Sequence, residues 1–455
     1  MFDIVVIGCG PSAYGFLKGL EKNQDMKNKK IAILCPNEYN EKTEKRKIKD
    51  ISPKFLQEKN LLSLSYYLDT FGDVIENNFS HIGVHGIGGM ARIWGGSIGF
   101  FDKESILKNG FDYSEFNDCY DELKSFLPLK HSIKISDKIK SLFGNYDKGR
   151  FLVSYPNLMV KENCDNCNQC LIGCEKDSVW YPRYTDFEEI NLNITIFDGC
   201  YATDILKSKV IFLKDDKVDE INTKLTVLAG GAMQNYKLLA KIKPLNNKKA
   251  SILTTPAVAF AFFNFKRNSN KDFFGMGNAT FWVKDEDKTL LYGNFYDGYS
   301  LSISKGKVFS SNSLKDAVFK AVSKYMVAGA GFMSSDCSDS YINIENNKYL
   351  ISGEFTSNYF KNIEYIQNIL KKFTKETNSI YAYFKKVKLG ADIHYAGGIP
   401  KELYVKDLIK DGIVKDIDYI RVIGGSTFSY LSPVSPTLSY IANSYRIGKN
   451  LKGLV

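Results

Sequence analysis

Near its start the chain reads Asp3-Ile4-Val5-Val6-Ile7-Gly8-Cys9-Gly10-Pro11-Ser12-Ala13, and the fold class follows from this segment. The β-branched run is typical of a buried parallel strand, and the residues after the turn read as a helix. Gly8 allows a tight turn, Gly10 lets the backbone approach a pyrophosphate, and Ala13 keeps helix and strand close. The free N–H groups at the helix start suit phosphates. A second strand at Lys30–Leu34 completes a predicted dinucleotide-binding βαβ unit.

One element of this pattern is missing. Cys35 stands where an acidic residue normally ends the second strand and binds a ribose hydroxyl. Asn37 or Glu38, in the loop that follows, is expected to take that role, and Glu38 is included among the predicted cofactor-binding residues.

The composition is that of a globular protein of two or three domains: 455 residues, 44% hydrophobic and 25% charged. The longest apolar run, Ala257–Phe263, is far shorter than the ~20 residues that cross a bilayer. Without a basic leader before the first strand, we expect no signal peptide and a cytoplasmic protein. The net charge of +10 favours acidic partners or substrates. Only seven of the 61 basic residues are arginine, so we do not expect a nucleic-acid-binding protein.

Four further segments stand out in the sequence. They are the glycine-rich loop Gly86–Ser97 containing Trp94, the strand and turn Leu225–Gly231, the segment His394-Tyr-Ala-Gly-Gly398, and the strand and turn Tyr419–Ser426 followed by the helix start Ser435-Pro436-Thr437. In this order, together with the first turn, they resemble the glucose–methanol–choline (GMC) oxidoreductase family of flavoproteins. The Gly88-Gly-Met-Ala-Arg-Ile-Trp-Gly-Gly96 wording is similar to the pyranose-oxidising members.

The resemblance implies an FAD whose pyrophosphate lies at the first turn and whose isoalloxazine ring lies against the second glycine-rich loop. Some relatives attach FAD to a histidine just before the tryptophan; Ile93 occupies that position here, so the FAD is expected to be non-covalent. The residues implied to bind it are Gly8, Gly10, Pro11, Ser12, Ala13, Glu38, Gly89, Met90, Arg92, Trp94, Gly95, Gly96, Ser97, Ala229, Gly230, Gly425, Ser426, Pro436 and Thr437.

The family oxidises an alcohol carbon: a base takes the hydroxyl proton while the carbon gives a hydride to flavin N5. His394 matches the histidine usually assigned to the proton, and an imidazole can accept one near neutral pH. Ser435 stands where the family has His or Asn, and its hydroxyl cannot act as a base near neutral pH. Ser435 therefore either positions the substrate oxygen or only caps the helix that follows. This departure keeps two alternatives open: a redox-neutral or reductive flavoenzyme, and a non-catalytic electron-transfer subunit.

Four cysteines lie within eleven residues: Cys164, Cys167, Cys170 and Cys174. The C-x2-C-x2-C-x3-C spacing is that of ferredoxin-type clusters, and it predicts an iron–sulfur cluster, 4Fe–4S or 3Fe–4S. Structural zinc or reduced thiols are the alternatives. Since such a centre moves one electron at a time, it favours a dehydrogenase that passes electrons to a protein, which the basic surface would suit if that protein is acidic. The other five cysteines are interpreted as small buried residues.

The segment at about 245–392 reads as strands that suit an antiparallel sheet. The predicted fold class is α/β, with a Rossmann-like FAD-binding domain and an antiparallel-sheet substrate domain. The predicted parts are 1–160 (FAD-binding), 161–182 (cysteine-rich), 183–244 (FAD-binding), 245–392 (substrate-binding) and 393–455 (FAD-binding, with His394). The predicted function is an FAD-dependent dehydrogenase that oxidises a CH–OH group of a sugar or polyol.

Overall fold

A computed structural model describes residues 1–36, 74–84, 86–130, 133–170, 174, 176–242, 248–266, 268, 272–300, 318, 321–345, 348–404 and 406–452. The strands are β1 (Phe2–Ile7), β2 (Lys30–Leu34), β3 (Val74–Asn77), β4 (Leu129–Lys130), β5 (Gly144–Tyr146), β6 (Phe151–Ser154), β7 (Leu158–Met159), β8 (Asn193–Phe197), β9 (Tyr201–Leu206), β10 (Lys209–Lys214), β11 (Lys217–Leu228), β12 (Ala250–Leu253), β13 (Ala257–Phe263), β14 (Ala279–Asp285), β15 (Lys288–Asp297), β16 (Met326–Phe332), β17 (Ser338–Glu345), β18 (Lys348–Phe355), β19 (Ile380–Lys386), β20 (Ala396–Pro400), β21 (Ile413–Val414) and β22 (Ile417–Val422).

The α-helices lie between and after these strands. They are α1 (Pro11–Lys22), α2 (Lys103–Lys108), α3 (Tyr113–Leu123), α4 (Asp137–Lys140), α5 (Tyr184–Glu188), α6 (Gly231–Leu239), α7 (Ser357–Glu376), α8 (Lys406–Asp411) and α9 (Thr437–Lys449). In the described part of the chain, none of them has the length and apolar character that crossing a membrane requires.

The first sheet has the order β21-β22-β11-β1-β2-β8, with β1 in its middle. β1 pairs in parallel with both neighbours, so that Val5 lies opposite Ala32 on β2 and Thr226 on β11. Both faces of β1 are covered by packed elements, and Ile4, Val5 and Val6 are fully buried. This burial on two faces is why the strand is a continuous apolar run rather than an alternating one.

The two ends of the chain meet where α1 packs against α9. A Cβ atom at Gly15 of α1 would lie 2.7 Å from the carbonyl oxygen of Ile441 on α9, and one at Gly19 would overlap that of Tyr445. Glycine at these two positions therefore lets the helix backbones approach closely. The contact brings the turn before α1 and the turn before α9 to the same side of the parallel sheet.

A second, antiparallel sheet has the order β19-β13-β16-β15-β14-β6-β5. Its inner face carries phenylalanines that pack on α7: the ring centroids of Phe151 and Phe373 lie 4.2 Å apart, and those of Phe281 and Phe295 lie 4.7 Å apart. A third sheet has the order β20-β12-β17-β18-β3, and its strands alternate along the chain with those of the other two sheets. Within the segment expected to form strands, the sequence texture predicts strands at 279–283, 289–296 and 300–304. The first two correspond to β14 and β15. Ser300, the start of the third, is helical, and the residues after it lie outside the described part of the chain.

Two of the cysteines form a bond that the sequence analysis did not expect. Cys9, in the turn after β1, and Cys35, just after β2, are buried and joined by a disulfide, with Cα atoms 5.7 Å apart. The parallel pairing of β1 with β2 brings the two strand ends side by side, which explains the proximity. Cys9 and Cys35 are thus buried, as interpreted from the sequence, but they form a disulfide that was not predicted. Cys119, Cys200 and Cys337 are buried free thiols, as expected.

Candidate functional site

A cavity of about 420 Å³ lies where the carboxyl ends of β1 and β11 meet the antiparallel sheet. Its walls come from the turn Gly8–Ser12, the loop around Trp94, the turn after β11, the segment Asp392–Tyr395 and the start of α9. Ligands of open parallel sheets bind at this edge, outside the carboxyl ends of the strands. The cavity is therefore the candidate site.

The turn before α1 is shaped to receive a phosphate group. Gly8 has a φ of +112°, and a Cβ there would lie 2.6 Å from the carbonyl oxygen of Ala229, so no larger residue fits. Gly10 is the N-cap of α1, and neither a side-chain cap nor an acidic residue is present in the first turn. The N–H groups at this helix start, and its partial positive charge, are thus available to an anion.

The second glycine-rich loop lies directly against this turn. The backbone N–H of Gly88 donates to the carbonyl oxygen of Cys9 at 2.8 Å. A Cβ built on Gly10 would have the Cα of Gly89 as its nearest atom, at 3.7 Å. Such a side chain would enter the gap between the two turns that faces the cavity, so glycine keeps this gap open. These residues fit a dinucleotide whose pyrophosphate lies at the start of α1.

Most of the residues that the resemblance implied for FAD line this one cavity. They are Gly8, Gly10, Pro11, Ser12, Gly89, Met90, Trp94, Gly95, Ser97, Ala229, Gly230, Gly425, Pro436 and Thr437. The loops are also tied to one another by side chains: Asn235 accepts from the N–H of Gly230 at 3.1 Å and donates to Ser426 at 3.0 Å. The asparagine thereby joins the turn after β11 to the turn after β22.

A few of the implied residues have other roles in the structure. Arg92 donates to the carbonyl oxygen of Ile87 at 3.3 Å and packs on the ring of Tyr181, and it is not among the residues that line the cavity. Ala13 is fully buried between helix and sheet, Gly96 packs near Met159, and Ser426 is hydrogen-bonded to Asn235. Glu38 lies outside the described residues.

His394 lines the cavity and is held by a threonine. Its Nδ1 lies 2.7 Å from the hydroxyl oxygen of Thr255, and its ring packs on Phe332 with centroids 4.5 Å apart. Thr255 in turn donates to the carboxylate Oδ2 of Asp392 through its N–H (2.8 Å) and its hydroxyl (3.1 Å). An aspartate, a threonine and a histidine thus form a continuous hydrogen-bonded chain that ends at the cavity.

Burial shifts the pKa of both ionisable residues in this hydrogen-bonded series, His394 and Asp392. It lowers the pKa of His394 to about 3, which makes the imidazole neutral near pH 7. Burial also raises the pKa of Asp392 to about 7, although hydrogen bonds from Thr255 act in the opposite direction. In both cases the charged form is disfavoured because the group is removed from water.

Ser435 is buried and lines the cavity beside Pro436 and Thr437. α9 begins at Thr437 with Pro436 as its N-cap, and no side chain caps it. Ser435 therefore lies one position before the cap, and the alternative that it caps this helix is not what the structure has. The first turn of α9 has no acidic residue, so a second helix start of partial positive charge faces the cavity.

The sequence analysis did not single out Thr255 or Asp392, nor the cavity-lining residues Asn294, Tyr296 and Phe332. Asp392 could have been found from its position two residues before His394. The Thr255-Pro256 dipeptide offered only the weak signal of a restricted, extended residue. Tyr296 and Phe332 lie on strands of the antiparallel sheet, where an aromatic residue alone indicates core as readily as a site.

The predicted cluster ligands do not form a metal site. In the described part of the chain, no three His, Cys, Asp or Glu residues come together in a way that could hold a metal ion. Cys170 is buried in the core beside the parallel sheet, whereas Cys167 is exposed. The thiol of Cys174 accepts a backbone hydrogen bond from Ser178 at 3.2 Å. The arrangement of the described residues thus gives the predicted four-cysteine ligand set no support.

Comparisons with known proteins identify the fold. No family model matches the chain, and no curated protein matches it by sequence. Among solved structures, the chain is similar to pyridoxine 4-oxidase from Mesorbium loti, with a TM-score of 0.63, 10% sequence identity and 99% of each chain covered. At this identity the likeness shows the fold alone. It confirms the predicted fold class, α/β with a Rossmann-like sheet and an antiparallel second sheet.

Proposed function

We propose that the chain is an FAD-dependent oxidoreductase that oxidises a CH–OH group. One observation carries the proposal: a neutral histidine, His394, shares a cavity with two glycine-rich turns that face each other beside a helix start. Bound FAD would supply the acceptor for the hydride that leaves the substrate carbon. The pyrophosphate would lie at Gly10–Ser12, and the flavin end near Trp94 and the start of α9. The similarity to an oxidase in overall fold supports this assignment.

Residues around the cavity carry out the other parts of the proposed reaction. The neutral imidazole of His394 accepts the proton of the substrate hydroxyl, and burial makes it a weaker base than the near-neutral imidazole expected from the sequence. The hydroxyl of Ser435 orients the substrate oxygen. The uncapped N-terminus of α9 stabilises negative charge that develops at that end of the cavity. The loss of one proton and one hydride converts CH–OH to C=O.

For the substrate, we propose a sugar or polyol, as the resemblance implies, with an aromatic alcohol as the second candidate. The second candidate is favoured by the wall around His394, which includes Phe332 and Tyr296. The amide of Asn294 on the same wall already bonds Ser97 at 2.9 Å. Among the described lining residues there is no lysine or arginine, so the positive charge of the chain does not extend to the substrate. A neutral alcohol therefore fits better than an acidic one.

The experiment is anaerobic mixing of the FAD-loaded protein with sugars, polyols and aromatic alcohols, including pyridoxine. Loss of the visible flavin absorbance identifies a substrate and distinguishes an enzyme from an electron-transfer subunit. His394→Ala should abolish this loss while FAD stays bound. His81→Ala is the matched control, since His81 is hydrogen-bonded to Glu76 outside the cavity lining. If alcohols reduce the flavin of His394→Ala as fast as that of the wild-type protein, His394 is not the proton acceptor.

The electron acceptor is open to a direct test. An iron–sulfur cluster would favour a dehydrogenase, but the described thiols do not form a site for one, so electrons are not routed through a cluster. We retain an acidic protein acceptor and a cytoplasmic location as proposals. Reoxidation of the reduced protein by oxygen, followed by stopped flow, separates oxidase from dehydrogenase. Iron and acid-labile sulfide analysis after anaerobic purification tests whether the chain holds an iron–sulfur cluster. Several irons per chain would show that a cluster is bound.

A further inference from the structure

The hydroxyl of Thr255 connects the histidine at the cavity to a buried carboxylate behind it. Thr255 is fully buried and Asp392 is 3% exposed. The carboxylate Oδ2 of Asp392 lies 3.1 Å from this hydroxyl and 2.8 Å from the Thr255 backbone N–H. On its other side the hydroxyl lies 2.7 Å from Nδ1 of His394.

The direction of these hydrogen bonds follows from counting protons. A threonine hydroxyl has one proton to donate. Asp392 Oδ2 already accepts the Thr255 N–H, which marks it as the acceptor, so the hydroxyl proton of Thr255 points to Oδ2. The hydroxyl oxygen of Thr255 must then accept the hydrogen bond from Nδ1 of His394. A neutral imidazole that donates from Nδ1 has its lone pair on Nε2.

The backbone around the three residues fixes this arrangement. Thr255 precedes Pro256, which restricts it to an extended conformation. Ile393, between Asp392 and His394, has a φ of +59°, a strained value for a β-branched residue. Strain of this kind persists where surrounding contacts impose it, and it concentrates at functional sites. Here it lets two residues that are separated by only one position both turn toward Thr255.

We infer that Thr255 and Asp392 are positioning residues that hold His394 in the Nδ1–H tautomer, so that Nε2 is the atom that accepts the substrate proton. The inference deepens the proposed function and rests on it. When the substrate hydroxyl proton moves to Nε2, the imidazole becomes a cation, and its Nδ1–H continues to donate to Thr255. Asp392, reached through that hydroxyl, stabilises the cation without contacting substrate when its carboxyl group is ionised, which its raised pKa allows above about pH 7.

A spectroscopic test reads the tautomer without any substrate. Nitrogen-15 labelling of histidine in the FAD-loaded protein gives signals from only four residues, and a His394→Gln variant assigns the relevant pair. We expect a protonated Nδ1 and an unprotonated Nε2. In Thr255→Val this preference should be lost, and in Thr255→Ser it should be kept. A proton on Nε2 in the wild-type protein would overturn the inference.

A kinetic test uses the neighbouring threonine as its control. Thr254 is equally buried, but its hydroxyl lies 3.1 Å from Ser338 and not near His394. With the alcohol that reduces the flavin, Thr255→Val should slow reduction by about a hundredfold, in the range that a positioned base contributes. Thr254→Val should leave the rate unchanged and Thr255→Ser should restore most of it. Equal rates in Thr255→Val and wild type would refute the inference.

The two tests separate the inference from the function on which it rests. If no alcohol reduces the flavin of the wild-type protein, the proposed function fails, while the nitrogen signals still report the tautomer. If alcohols reduce the flavin and the signals show Nε2–H, the function stands and the positioning role fails.

Discussion

Replacing Asp392 by Asn should change the stability of the protein in a way that depends on pH. Burial raises the pKa of this carboxyl from 3.8 to about 7, and its Oδ1 has no hydrogen-bond partner among the described residues. Since one pKa unit corresponds to about 1.4 kcal/mol, ionisation of Asp392 costs the folded state about 4 kcal/mol more than the unfolded chain.

The direction of this pH dependence follows from the raised pKa of Asp392. The contribution of the neutral carboxyl to stability is fully present below pH 3.8, where Asp392 is protonated in both states. It is lost as the pH rises toward about 7, because the unfolded chain is already ionised in this window while the folded state holds its proton. An asparagine does not titrate. We therefore expect similar stability for the two proteins near pH 4 and a growing advantage for Asp392→Asn up to about pH 7.

The assay is the midpoint of thermal unfolding for both proteins at intervals between pH 4 and pH 8.5. At roughly 2 °C per kcal/mol for a protein of this size, the difference between the midpoints should widen by several degrees and then stay constant. Added salt should not reduce it, because a buried charge is poorly screened. A difference that is flat with pH, or one that shrinks as the pH rises, would show that Asp392 is not the desolvated carboxyl described here.

Three other changes test separate parts of the structure. Gly10→Ala should leave the midpoint of thermal unfolding nearly unchanged, because the added Cβ makes only an ordinary contact at 3.7 Å. It should abolish retention of FAD on gel filtration, because that Cβ enters the gap facing the cavity. Gly8→Ala is the contrasting variant: its Cβ would lie 2.6 Å from a carbonyl oxygen and should prevent normal folding. Lys138→Met should cost about 3–5 kcal/mol in chemical unfolding, because the buried carboxylate of Asp297 keeps its hydrogen bonds from Ser136 and Asn268 but loses the cation that pairs with it. Adding Asp297→Asn should recover most of the loss. Alkylation of the protein unfolded in denaturant without reductant should leave Cys9 and Cys35 unmodified in a mass spectrum, because a disulfide does not react. Replacing both by alanine should cost about 3 kcal/mol through the loop between them. Alkylation of both residues under these conditions would contradict the disulfide and suit a reducing compartment.

The local parts of the fold could be predicted from the sequence because their signals are local. The run from Ile4 to Ile7 indicated β1, the predicted bounds of β2 match those observed, and the glycines placed the turn between β1 and α1. His394 could be singled out because it lies in a motif a few residues long. Each of these signals needs only neighbours in the chain, where strand and helix preferences act.

The remaining features depend on contacts between distant segments. Thr255 and Asp392 are 137 positions apart, and they meet only because the segments before β13 and β20 run side by side. The disulfide of Cys9 with Cys35 depends on the register of β1 against β2. For the cysteine run, the spacing fixed how close the four residues lie in the chain but not the direction of each thiol, and Cys170 turned into the core.

The electrostatics of the cavity come from backbone rather than from charged side chains. Asp392 is the one carboxylate among the described lining residues, and it is turned to Thr255. The positive potential is supplied by the starts of α1 and α9, neither of which has an acidic residue in its first turn. These helices touch through Gly15 and Ile441. This one contact determines how the start of α1, which suits a pyrophosphate, is placed relative to the start of α9 at the other end of the cavity. A change at that contact should therefore disturb both ends of the cavity together, even though it lies outside the cavity.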